Sequence, residues 1–210
     1  MNDLFKTGDP RMDFVVGNYT KVVDFEECLK YTKDNFCNAL LRKLKNLLEE
    51  WGYDEPKIEK DSRGEFVWWA IPGFYHKADD VGLYYAIEIG NGWDTLIGES
   101  DYPVFLNLVS DRAEGRTRRS HQINSWIDGS YRILRDNGNY LTRKGIKVVS
   151  GQNEWENGLA AIFLKEELSI NSLSSIPFEG VKVRLKGKVK SFVDNLTGER
   201  TLIRPFFEVE

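Results

Sequence analysis

Residues 24–52 constrain this chain more than any other stretch. Phe25, Leu29, Phe36, Leu40, Leu44, Leu47 and Trp51 recur at helical spacing, which places them on one face of a single long helix. Asp24 followed by Glu27 has the pattern of a capping box, and Gly52 supplies a stop. At about 1.5 Å per residue such a helix runs roughly 40 Å, most of the width of a domain this size. It is then either the central core helix or one that also reaches a partner. Residues 1–23 read as an N-terminal extension.

Residues 64–111 form a β-rich block. Residues 65–73 read as a strand ended by Pro72-Gly73, and residues 81–90 and 103–111 as two more, paired as a hairpin. Their connection, residues 91–102, is long for a hairpin and carries Trp93, a ring able to stack on a base or anchor a partner. Trp68 and Trp69 are consecutive, so in a strand they face opposite sides. Either both faces of that strand are covered, or one tryptophan is exposed for binding.

The rest of the chain, residues 112–210, reads as a basic α/β half. A helix near residues 120–138 carries Ile123, Trp126, Ile127, Tyr131 and Leu134 on one face, with Ser120 as its cap. Strands are expected at residues 145–151 and 158–167, and a last one at 201–210. Residues 176–197 carry two patterns. Phe178, Val181, Leu185, Val189, Phe192 and Leu196 keep helical spacing, while Val181, Val183 and Leu185 alternate with bases as in a strand. The longer register favours a helix. The expected class is therefore a single α+β domain over residues 1–210. Its sheet, mixed or mostly antiparallel, has about five strands and is packed by three helices, the first at about 24–51.

Composition narrows the function classes. A chain of 210 residues with 41% hydrophobic and 30% charged residues suits one ordinary globular domain. The longest apolar runs, residues 66–71 and 159–164, are too short to span a membrane, and residues 1–13 lack a signal-peptide pattern. A soluble cytoplasmic protein without a membrane partner is expected. Cys28 and Cys37 fall on opposite helix faces and cannot pair, and with only His76 and His121 besides them a structural zinc site has too few ligands. Neither a dinucleotide fingerprint nor a phosphate-loop motif is present, so no cofactor is expected.

Charge is uneven. Residues 1–100 hold 12 Lys and Arg against 19 Asp and Glu, and residues 101–210 hold 17 against 14, within a net charge of −4. Two basic features sit in the second half. Arg116, Arg118 and Arg119 stand at a helix start, where positive charge opposes the helix dipole and so suggests a seat for phosphate or carboxylate. Lys182, Lys186 and Lys190 form one row if their segment is helical, with Arg184 and Lys188 among them, a strip able to follow a phosphate backbone. The leading expectation is a non-catalytic binding module. Arg116, Arg118, Arg119, Lys182, Lys186, Lys190 and Trp93 would contact a nucleic-acid backbone or an acidic protein. An alternative is a divalent-metal phosphodiesterase using Asp79, Asp80 and Glu88, although Gly90 stands where an acid-x-lysine strand would carry its lysine. A third is an interaction subunit, of a phage or bacterial defence system, assembling through the long first helix.

Overall fold

The computed structural model describes residues 18–61, 64–90, 93–98, 104–149, 158–198 and 202–208. Helix α1 spans Tyr19–Glu50 and starts before the expected capping box, so Asp24 lies within it. An N-cap forms only where the backbone leaves the helical region, and residues 19–23 stay inside it. Asn18 takes the cap position, and its side chain makes no capping bond to the helix. The other end follows the sequence. Gly52, at φ +89°, lets its N–H reach Glu49 O at 3.0 Å and that of Tyr53 reach Leu48 O at 3.0 Å, the paired bonds of a Schellman turn.

Six strands follow among the described residues: β1 (Lys57–Asp61), β2 (Gly64–His76), β3 (Val81–Ile89), β4 (Phe105–Asp111), β5 (Lys147–Val148) and β6 (Gly158–Phe163). They form one sheet in the order β1-β2-β3-β4-β6-β5, with every neighbour antiparallel. The α+β class holds, with one strand outside those expected. That strand is β1, whose Lys-Ile-Glu-Lys-Asp sequence carries one apolar residue and hence no apolar alternation. It is an edge, and charge on an edge discourages pairing with other chains.

All of β3 is buried, so both sheet faces are covered there. Val67, Trp69, Leu83, Tyr85, Ile87, Leu106 and Leu108 join one core with the leucines of α1. Phe66, Trp68, Ala70, Tyr75, Tyr84, Ala86 and Val109 form a second cluster on the opposite face. Both Trp68 and Trp69 are buried, which answers the question their adjacency posed.

The remaining helices are α2 (Trp93–Ile97), α3 (Arg118–Asp136), α4 (Gly138–Arg143), α5 (Lys165–Leu168), α6 (Ile170–Ser175) and α7 (Phe178–Leu196). The ambiguous segment is thus helical, burying Val181, Leu185, Val189, Phe192 and Leu196 and leaving Val183 in solvent. Tyr85, fully buried on β3, shares a 2.8 Å hydrogen bond with the Thr197 hydroxyl just beyond α7. Within the expected last strand, residues 202–208 form a strap instead. Phe206 and Phe207 donate their N–H groups to Gly73 O, and Trp126 Nε1 donates to Arg204 O at 3.0 Å. The carbonyl of Gly73 takes both amides, so no ladder forms. Among the described residues, no helix is long and apolar enough to cross a membrane.

The two cysteines are free, Cys28 exposed and Cys37 buried. Burial, with Glu65 adding to it, pushes the Cys37 thiol up to about 11. At pH 8 a thiol-exchange reagent is expected to titrate one fast thiol, with the second appearing only on unfolding; two fast thiols would contradict this packing. A raised folded value also makes the Cys37 contribution to stability complete below its ordinary value of 9.0 and lost as pH climbs through about 11.

Candidate functional site

At one end of the sheet, the β2–β3 turn and the β4–α3 loop enclose a cleft of about 660 Å³. Its lining includes Asp79, Asp80, Asp111, Arg112, Thr117 and Arg119. Asp80 sits at φ +54°, a left-handed turn position that aspartate tolerates better than most residues. There its carboxylate accepts a 2.5 Å hydrogen bond from the Tyr75 hydroxyl, which also lies 3.5 Å from Asp111 Oδ2. Burial, followed by the bond to Asp80 and the charge of Asp111, keeps that phenol protonated far above its usual range.

The β4–α3 loop is fixed by the helix it enters. Thr117, not Ser120, is the cap: its hydroxyl accepts from Ser120 N–H at 3.0 Å. Ser120 Oγ donates back to Glu114 O at 2.9 Å. Asn124 grips Ala113 twice, accepting its N–H at 3.0 Å and donating to its carbonyl at 3.1 Å. None of these clamps was legible in the sequence, because a polar residue one turn into a helix carries no signature of the loop it holds.

The arginines divide. Arg119 pairs with Asp79 at 2.8 Å, and Arg112 pairs with Asp128 at 2.5 Å, both in solvent where such bridges contribute little. His76 Nδ1 lies 3.2 Å from the same Asp79 carboxylate, without hydrogen-bond alignment, while its ring stacks on Phe207 at 5.4 Å. Arg116 and Arg118 are exposed and have no ion-pair partner among the described residues. With no acid in the first turn of α3, nothing there offsets their opposition to the dipole.

The other expected site residues lie elsewhere. Trp93 opens α2 and packs edge-on against Phe36 at 5.9 Å, tied to α1 rather than standing free. On α7, Lys182 binds Glu50 at 2.6 Å, and this hydrogen bond holds the Glu50 carboxyl below its usual range. Lys190 meets Asp194 at 2.8 Å. Lys188 reaches buried Glu167 at 2.9 Å and Phe163 O at 3.3 Å. Only Arg184 and Lys186 of this row are exposed without an ion-pair partner among the described residues. Phe163 pairs with Phe105, the first residue of β4, whereas the arginine loop follows Asp111, its last. At about 3.3 Å per residue, the Lys188 end of the row is roughly 20 Å away along the sheet.

The metal grouping does not assemble. Asp80 precedes β3, and Glu88 sits near its far end, hydrogen-bonded by Asn107 Nδ2 at 3.4 Å. Eight residues of strand separate the two carboxylates by roughly 26 Å, too far to share a cation. Among the described residues, no three His, Cys, Asp or Glu side chains are placed to hold a metal ion. Comparison with known proteins found no matching family model, curated protein or solved structure.

Proposed function

We propose that this chain is a non-catalytic binding module whose arginine loop contacts a nucleic-acid backbone. The observation that carries the reading is the pair Arg116 and Arg118: exposed, without an ion-pair partner among the described residues, and held on a clamped loop at the start of a long helix. A guanidinium presented this way meets phosphate with little rearrangement, and the loop has already lost the conformational freedom that binding would otherwise remove. Asp79, Asp80, Asp111 and Glu114 line the neighbouring cleft, so an anion belongs on the rim and not inside it. Lys186 and Arg184 remain available on α7, while Lys182 and Lys190 are already engaged by acids.

Fluorescence anisotropy with short labelled DNA and RNA, at low and near-physiological salt, tests this. Two neutralised phosphates give a logarithmic salt slope near −1.8, about a tenfold loss of affinity between 50 and 200 mM salt. Arg116→Glu with Arg118→Glu is expected to abolish binding or flatten that slope by about two. Added Mn²⁺ should leave the strands uncut. Absence of binding at low salt, or a slope the double variant leaves unchanged, overturns the reading, and an acidic protein partner becomes the one to seek.

A further inference from the structure

The first half of α1 lies outside the core. Between residues 20 and 36 no described side chain is buried, and burial starts at Cys37. Phe25 is 67% exposed and Tyr31 71%, both large rings on an otherwise charged stretch. Phe25, Leu29, Thr32 and Phe36 recur at steps of four, three and four, the spacing of a helix-pairing seam. Phe36 is the point where this seam meets the domain, through its contact with Trp93. Before it, the seam lies on a different face from the one that buries Cys37, Leu41, Leu44 and Leu48, and it runs about 16 Å along the projecting helix back to Phe25.

We propose that this projecting half of α1 pairs, antiparallel, with the same segment of a second copy of this chain. The charges select that occupant. Asp24, Glu26 and Glu27 outweigh Lys21 before the middle of the segment, and Lys30 and Lys33 outweigh Asp34 after it. Turned end for end about a twofold axis near residue 29, the segment is its own electrostatic complement. Glu26 and Lys33, which lie seven residues apart and so on the same flank of the seam, each face the other residue of the partner copy. The same superposition sets Phe25 between Thr32 and Phe36 of the second chain, covering the ring that solvent now surrounds. Antiparallel pairing also leaves the two folded bodies at opposite ends of the helix pair, with room for both. The seam is short, at the low end of specific interfaces, so the association is weak and concentration-dependent.

Sedimentation equilibrium across the micromolar range is expected to show the mass rising from 24.3 kDa toward twice that value. Phe25→Glu, at a position too exposed to affect folding, removes the rise and leaves the circular dichroism spectrum unchanged. Glu26→Lys alone and Lys33→Glu alone each shift the midpoint to at least tenfold higher concentration, and the two together restore it. A short bismaleimide should link Cys28 to Cys28, since each lies near the axis. A chain that stays at 24.3 kDa throughout, or a double swap that fails to restore association, overturns the proposal. In either case the exposed seam belongs to a different protein. The arginine loop is remote from this segment in the fold, so each proposal stands or falls by its own experiment.

Discussion

Gly82→Ala is expected to lower stability by about 3–5 kcal/mol, with two separate costs acting at one position. Gly82 sits at φ +123°, a region L side chains rarely enter. A Cβ there would lie 2.2 Å from the carbonyl oxygen of Phe74 and 2.9 Å from the Cα of Tyr75. Both neighbours are backbone, so no rotamer change relieves the overlap and the strands themselves must separate. The cause is the irregular stretch of β2 between Ala70 and Tyr75, where Pro72 and Gly73 interrupt the ladder and bring Phe74 across the start of β3. Urea denaturation measures the loss. Gly52→Ala is the control, since Gly52 shares a positive φ but has no atom within 4 Å of its would-be Cβ, and only the strain of about 1 kcal/mol applies. Equal midpoint shifts for the two variants would mean that close approach contributes nothing. Because Gly82 immediately follows the turn carrying Asp79 and Asp80, its substitution should also weaken the Asp79–Arg119 pair and loosen the arginine loop.

The sequence announced the elements whose side chains repeat and missed those that contacts create. The α1 helix was readable because seven apolar residues keep one register, although only Leu44 and Leu47 of them are buried and the fully buried Leu41 and Leu48 stand outside it; α7 was readable because Val181 to Leu196 keeps one register despite Gly180 and Gly187. The charged β1 carries no such repeat, since it is a strand only by pairing with its neighbour, whereas β5 was expected and pairs over only two of the residues expected for it. The expected strand at the C-terminus failed for the opposite reason. Its aromatics suit a strand, but Phe206 and Phe207 are spent on Trp126, His76 and Gly73. The site follows the same division. Three arginines at a helix start were visible; that Asp79 takes Arg119, and neither Arg116 nor Arg118, depends on a turn forty residues earlier in the chain. Likewise the row of α7 bases was visible, but not Glu50 and Glu167 approaching it from other helices.

Trp69→Ala is expected to cost about 3–5 kcal/mol, and Trp68→Phe less than about 1.5 kcal/mol, although the two tryptophans are adjacent and both buried. Trp69 is 2% exposed and lies between Tyr53, at 5.1 Å, and Tyr85, at 5.5 Å. Tyr85 in turn contacts Phe192 of α7 at 5.6 Å. A single run of rings therefore joins the end of α1, two central strands and α7, and truncating its middle member leaves a cavity that rigid neighbours on three elements cannot fill. Trp68 is 7% exposed on the opposite face, among Tyr75 and Tyr84, with the Lys57 ammonium 5.0 Å above its ring. Its Nε1 is buried and has no hydrogen-bond partner among the described residues. Phenylalanine at that position surrenders some buried area but also removes an unsatisfied donor, and the two effects oppose each other. Against an ordinary stability of about 5–15 kcal/mol, the Trp69 loss is a large fraction of the whole and the Trp68 loss a small one. Chemical denaturation of the two variants side by side decides it. Comparable losses would mean that the helix-packed face does not dominate the stability of this sheet, and that the second aromatic cluster contributes as much as the main core.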